Sequence, residues 1–285
     1  MHKRVGANFQ VGNVFVLPTP IRIGVLASWL SIYPNRDDAA LLLNGFSKGF
    51  SLQYGGPRIR RDSHCLLSAV QHPNIVKRKL AEELSLGRVA GPFVDRPLPN
   101  LQCSPIGLVP KHEPNSFRLI HHLSFPHGGS INDFIDREQC KVHYASFDKA
   151  VNIAVSAGRG AWLAKSDIKS AFRLLPVSPE DYELLGFSFD GSFYYDRCLP
   201  MGCSISCALF EKFSTLLEFR VKFVTKSSSV THYLDDFLFV GSSRSSCSTL
   251  LNTFTTICEE LGVPLAHEKT EGPSQTITFW GLETP

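Results

Sequence analysis

Thr231-His232-Tyr233-Leu234-Asp235-Asp236-Phe237-Leu238-Phe239-Val240-Gly241 is the stretch from which the fold can be read. Two adjacent carboxylates sit between short apolar runs rich in strand-forming residues. This pattern predicts a β-hairpin with the acidic pair at or beside its turn. Two negative charges at the tip of a buried strand are costly unless they are paired or bind a cation. An isolated Asp-Asp pair is more often an ordinary acidic turn, so the hairpin needs a partner elsewhere in the chain.

Working upstream, Ala161 to Ser166 form an apolar strand that runs into Asp167, and a turn leads on to Phe172. Ser178-Pro179-Glu180-Asp181 then opens a short helix, with Ser178 as N-cap and acids in its first turn. Asp190-Gly191, between Leu185–Phe189 and Ser192–Tyr195, is a strong hairpin signal. Leu199-Pro200-Met201-Gly202 delivers the chain into a long helix, about Ser204 to Phe223, with Ile205, Leu209, Phe213 and Leu216 as its buried stripe. Downstream, a helix carrying Leu250, Leu251, Phe254, Ile257 and Leu261 ends at Gly262. Lys269-Thr270 lies in a polar connection, and Thr276 to Gly281 is a closing strand.

This succession of strand, helix, hairpin, long helix, hairpin, helix and strand can lay an antiparallel sheet against helices on one face. The fold class is α+β, ferredoxin-like. In that layout the Asp167 strand ends beside Asp235 and Asp236. Three like charges held together raise one another's pKa or require a cation. Hard oxygen ligands suit Mg²⁺, which accepts one or two carboxylates and fills its other sites with water and substrate phosphates. Two such ions about 4 Å apart can stabilise the attacking and leaving oxygens of a phosphoryl displacement. Cations for a triphosphate are at hand in Lys111, Arg118 and Lys269. Lys111 and Arg118 fall on a predicted two-stranded ribbon, Pro105–Lys111 and Phe117–Ile120, joined by a polar turn at Glu113 to Ser116. They can equally guard a sheet edge or grip a polyanion.

The remaining sequence bounds the answer more loosely. At 285 residues, 43% hydrophobic and 19% charged, the chain can hold one large or two medium globular domains. A net charge of +3 permits a nucleic-acid partner without demanding one. The clusters Arg58-Ile59-Arg60-Arg61 and Lys77-Arg78-Lys79 read equally as solvated faces or phosphate contacts. Eight cysteines include no Cys-x-x-Cys pair, which argues for reduced thiols and against a zinc site. With no signal-peptide pattern, and with Val11–Leu30 broken by Pro18, Pro20 and Arg22, an intracellular location (cytoplasm or nucleus, not secreted) and no membrane span are expected. Residues 1 to 90 give weak signals: a short helix at Asp37–Leu43, another at Ile75–Leu86 capped by Asn74, and nothing with catalytic chemistry.

Tyr233-Leu234-Asp235-Asp236 resembles the Tyr-x-Asp-Asp box of reverse transcriptases, and the rest of that family's motifs appear in order. The ribbon resembles the fingers, Asp167–Phe172 the first palm motif, and Leu199–Ser206 the turn-helix motif beside the incoming base pair. Glu268-Lys269-Thr270 resembles the fourth palm motif, and Phe279-Trp280-Gly281 the primer grip. The wording of Asn35–Phe50, Asp167–Pro179 and Leu199–Glu211 is closest to DIRS-type retrotransposons, which move with a tyrosine recombinase.

The resemblance implies an RNA-directed DNA polymerase of right-hand architecture: an extension over 1–90, fingers over 91–145 and 176–203, and palm over 146–175 and 204–285. It implies template with primer and dNTPs as partners, and two Mg²⁺ ions, with Mn²⁺ as substitute, held by Asp167, Asp235 and the Ile168 carbonyl, Asp236 supporting. It also implies that Lys111 and Arg118 hold phosphates, that Phe172 excludes a 2′-hydroxyl, and that Met201-Gly202 meet the nucleotide. Lys269 would protonate pyrophosphate, and Trp280-Gly281 would position the primer. Met201 replaces the commoner Gln, Cys207 a Pro, and His121-His122 an acidic position. The few residues after Gly281 leave no room for a thumb, RNase H or recombinase region, all expected downstream in a parent element. Two other readings are an inactive nucleic-acid-binding relic and the polymerase part of a longer protein with RNase H activity.

Overall fold

The computed structural model describes residues 16–111, 116–142, 144–279 and 282–284. In chain order its elements are α1 (Ile23–Leu30), α2 (Arg36–Lys48), α3 (Leu67–Gln71), α4 (Pro73–Ser85), β1 (Val89–Phe93), β2 (Ile106–Pro110), β3 (Phe117–His121), α5 (Phe147–Ser156), β4 (Trp162–Asp167), β5 (Gly186–Phe189), β6 (Ser192–Asp196), α6 (Ser206–Thr225), β7 (Val230–Tyr233), β8 (Asp236–Gly241), α7 (Arg244–Leu261), β9 (Glu271–Ser274), β10 (Ile277–Phe279) and β11 (Leu282–Thr284). Trp280 and Gly281 lie outside the described residues, as does most of the polar turn expected at Glu113 to Ser116.

A four-stranded antiparallel sheet in the order β7-β8-β4-β9 is the platform of the site. Its strands alternate. Ala164, Phe237 and Phe239 join the main core with Phe213 and Leu217 of α6 and Phe254 and Ile257 of α7, while Leu163, Leu238 and Val240 face a second cluster with Ala150 of α5 and Ile277 and Phe279 of β10. The period-2 pattern thus buries both faces. Helices α6 and α7 line one side as the sequence implies, and α5 with β10 closes the other.

A second sheet, β1-β6-β5, and the ribbon β2-β3 stand beside the platform. The β5–β6 turn is the predicted one: Phe189 pairs with Ser192, and Asp190 and Gly191 both take positive φ, 49° and 76°. Residues 16–50 are woven into the same core, since Leu42 and Phe46 of α2 pack with Phe213 of α6.

Three local expectations need correction. Helix α4 begins at Pro73, so Asn74 lies inside it and His72 takes the cap position without a side-chain bond; the preset φ of proline decides the start. Pro179–Leu184 is a 3₁₀ helix, and Ser178 makes no cap bond. Its Asp181 is buried instead, accepting from the Leu52 N–H at 2.8 Å and pairing with Arg58 at 2.6 Å. The long helix runs two residues later than expected, Ser206–Thr225.

Candidate active site

Strand register brings the acids together. Tyr233 pairs with Asp236 across the β7–β8 hairpin, leaving Leu234 and Asp235 as a two-residue turn. Asp236 in turn faces Asp167 at the end of β4. The Ile168 N–H donates to the Asp235 carbonyl at 3.0 Å, and the Ala266 N–H to the Asp167 carbonyl at 2.8 Å, which fixes both chain ends. Leu234 sits at φ 53°. For a bulky L-residue that conformation costs roughly 1–2 kcal/mol, and the flanking ladders impose it.

The electrostatics are those of a crowded anionic site. Burial, the charge of Asp235 and a hydrogen bond with Asp167 push Asp236 up to about 7, against an ordinary 3.8. Burial and the Asp167 charge also raise Asp235. Lys269 Nζ lies 2.7 Å from Asp167 Oδ2. Burial disfavours the ammonium, but Asp167, Asp235 and Asp236 outweigh it and raise its pKa.

Asp167 and Asp235 open onto a cleft of about 610 Å³, and Asp236 is not part of its lining. Its lining holds Asp167, Ile168, Asp235, Lys269, Lys111, Arg118, Phe172 and Met201, eight of the residues singled out from sequence. Lys111 and Arg118 are exposed, and among the described residues neither pairs with a carboxylate side chain. Phe172 is held edge-on by Phe210 at 5.7 Å. Gly202 has φ 114°, and a Cβ there would fall 2.1 Å from the His121 carbonyl oxygen, so only glycine lets the turn approach β3. The cleft also includes Lys79, from the basic cluster noted in the sequence, and Glu82, Glu83, Lys169, Arg173 and Asp196, which sequence reasoning did not single out. Arg173 carried a readable signal: it is a lone charge inside the run Ala171-Phe172-Arg173-Leu174-Leu175, where a cation needs a buried partner.

The donors fit hard divalent cations. Two carboxylates with raised pKa and a third hydrogen-bonded to one of them are oxygen ligands short of positive charge. Among the described residues no group of three His, Cys, Asp or Glu side chains could hold a metal ion unaided. Mg²⁺ does not require such a cage, because it takes one or two carboxylates and leaves places for water and phosphate.

The family model described as "Reverse transcriptase (RNA-dependent DNA polymerase)" matches residues 109–284. The chain belongs to the reverse transcriptase family. Protein P of Heron hepatitis B virus is 32% identical over 120 residues, which are 41% of this chain and 15% of that protein. The Gag-Pol polyprotein of Avian reticuloendotheliosis virus is 23% identical over 216 residues, 73% of this chain and 18% of the polyprotein. The chain therefore spans under a fifth of these relatives' length. Among solved structures, a foamy viral protease-reverse transcriptase in complex with double-stranded DNA superposes with a TM-score of 0.62 at 15% identity, covering 96% of this chain and 48% of that one. The native Prototype Foamy Virus Protease-Reverse Transcriptase gives 0.61 at 17% identity, covering 96% and 36%. These two show that the fold is shared.

Proposed function

We propose that this chain carries out RNA-directed DNA synthesis, adding dNTPs to a primer 3′-hydroxyl. The observation that carries the reading is one juxtaposition: Asp167, Asp235 and Asp236 meet at the end of one sheet, and the first two share a cleft with Lys111 and Arg118, which pair with no carboxylate side chain among the described residues. We assign the fingers to 91–145 and 176–203 and the palm to 146–175 and 204–285, after an extension over 1–90.

Asp167, Asp235 and the Ile168 carbonyl, with Asp236 in support, would hold two Mg²⁺ ions, or Mn²⁺. The ions' contribution is neutralisation of charge on the attacking and leaving oxygens. Lys111 and Arg118 grip the β- and γ-phosphates. Met201 and Gly202 lie against the base, and Phe172 lies under the sugar, where a 2′-hydroxyl would clash. The primer hydroxyl loses its proton to solvent and attacks the α-phosphorus, the bond to the β-phosphate breaks, and Lys269 gives a proton to the departing pyrophosphate. Lys269 is within 2.7 Å of Asp167, so its ammonium stands at the reacting end of the cleft. Trp280 and Gly281 position the primer. A DIRS-type retrotransposon is the parent element the motif wording favours, with a thumb, RNase H and recombinase encoded alongside and an intracellular site of action.

Primer extension tests the reading. Purified protein, alone and joined to a thumb, should extend a primed RNA template with dNTPs only when Mg²⁺ or Mn²⁺ is present. Protein that binds primer–template yet never extends it, with Asp235→Asn behaving identically, sinks the catalytic claim.

A further inference from the structure

Along the wall of the cleft runs a linked set of side chains, Glu83, Arg173, Asp196 and His121, that the reaction as described does not use. Arg173 follows Phe172 directly, and its guanidinium is taken up by two carboxylates and a carbonyl. Its Nε and Nη2 reach Glu83 Oε2 at 2.9 and 2.8 Å, and its Nη1 reaches Asp196 Oδ1 at 2.6 Å and the Cys198 carbonyl at 3.1 Å. The other Asp196 oxygen meets His121 Nδ1 at 2.9 Å, while His121 Nε2 faces the Gly186 carbonyl at 3.1 Å. Asp196 is 5% exposed and His121 3%. Burial opposes both ions of the central pair, yet each outweighs it for the other: the Arg173 pKa is raised and that of Asp196 lowered.

One end of this chain backs the proposed nucleotide contacts. His121 closes β3, three residues after Arg118; its N–H donates to the Met201 carbonyl at 3.1 Å, and its own carbonyl seats Gly202. Glu83 anchors the other end in α4. Asp196 is thus the junction between the base-side turn and phosphate ribbon, through His121, and the sugar-side Phe172, through Arg173. The departure of His121 from an acidic position also finds its partner here, because the carboxylate comes from β6.

Resting on the polymerase reading above, we propose that Glu83–Arg173–Asp196–His121 is a positioning strut that sets the spacing of Phe172 against Met201 and Arg118, and so governs discrimination between deoxy- and ribonucleotides. A buried ion pair is weak evidence for stability, because apolar replacements of similar volume are often as stable. What the guanidinium fork adds is a fixed geometry at two carboxylates. A sugar check works by steric clash, and displacements of about 1 Å in a positioned contact can cost on the order of a hundredfold.

The test uses the full chain with a primer–template blocked by a dideoxy terminus. Equilibrium binding of dNTP and rNTP in Ca²⁺ is set beside incorporation rates in Mg²⁺ on an unblocked primer. Wild-type protein should prefer dNTP. Asp196→Asn should reduce that preference at least about tenfold, raising KM for dNTP more than it lowers kcat. Arg173→Lys, which keeps the buried charge but loses the fork, should fall between; if Asp196→Asn fails to fold, this variant carries the test alone. Lys212→Met breaks a remote pair with Asp38 and controls for general loosening. Folded strut variants with wild-type preference overturn the proposal, as does an equal loss in Lys212→Met. Wild-type protein that selects dNTP in Ca²⁺ but never extends a primer overturns the polymerase reading alone, and loss of selectivity in Asp196→Asn then still supports the strut.

Discussion

Two carboxylate clusters flank strand β7, and their acidities are pushed in opposite directions. At its tip, Asp236 is raised to about 7. On its inner side, Glu218 of α6 is buried and burial opposes its charge, yet His232 and Lys222 outweigh this and bring it to about 2. His232 Nδ1 lies 2.5 Å from Glu218 Oε2, Lys222 Nζ 2.5 Å and Lys149 Nζ 3.3 Å from Glu218 Oε1. Glu211, one heptad earlier on α6, approaches His232 Nε2 at 3.2 Å without the alignment of a hydrogen bond. Burial is heavy in both places, so it does not distinguish them. The difference is compensation: three basic side chains lie against Glu218, whereas among the described residues one lysine pairs directly with the three aspartates and Arg118 acts on Asp235 from farther off. The first arrangement is scaffold holding the hairpin onto α6. The second carries negative charge that the proposed metal ions would offset.

The sharpest way to break this contrast is Asp235→Asn. If the tip cluster serves chemistry, incorporation should fall about a thousandfold or more, matching the several kcal/mol that metal-ion charge stabilisation supplies. Melting of the metal-free variant should stay level or rise, since a repelling charge is gone. A variant that loses stability while retaining rate reverses the assignment. The mirror experiment is His232→Ala, which takes the histidine from Glu211 and leaves the buried Glu218 with its lysines alone. Urea unfolding should show a loss of about 3–5 kcal/mol, and a loss under about 1 kcal/mol would reduce that cluster to an ordinary surface pair.

Metal binding comes next in size. Thermal melts should rise with Mg²⁺, by about 2.7 kcal/mol at a hundred times Kd, and Asp167→Asn should flatten the rise. The response to pH is smaller. Asp236 is raised from 3.8, so its contribution to stability is full below that value and lost as pH climbs through about 7. His232 is also raised, from 6.5, because Glu211 and Glu218 outweigh its burial; its contribution is likewise lost as pH rises through its folded pKa. Glu218 works in reverse, contributing above 4.5 and losing its contribution as pH falls toward about 2. Metal-free protein should therefore be most stable near pH 5, and saturating Mg²⁺ should remove the part of the alkaline decline that belongs to Asp236. Unfolding midpoints across pH 3 to 9, with and without Mg²⁺, check this.

How much of this was legible varied with the range of the cause. The hairpin, the Asp167 strand and the ribbon were written locally, in alternation, turn residues and apolar runs. Their convergence followed from antiparallel packing. The Glu218 cluster was not legible, because His232 looks like one strand residue and finds its partners only when β7 lies on α6. Asp181 misled for a related reason: its place in a first helical turn suggested dipole pairing, while its real partners, Leu52 and Arg58, lie in the segment whose signals were weakest. Helix α2 reads as a short amphipathic piece until α6 supplies the surface for Phe46. Register and caps are local chemistry; charge compensation is a property of the folded whole.

Leu234 bears on how such a sequence can change. Its left-handed turn is a standing cost, and glycine would relieve it by up to about 1 kcal/mol. The replacement would also unlock the turn that aims Asp235 and strip a side chain from the cleft wall. Leu234→Gly should melt slightly later and polymerise more slowly. On the proposed function, selection for durability and selection for copying pull this codon in opposite directions, and a lineage released from the need to copy would be free to drift toward the more relaxed residue.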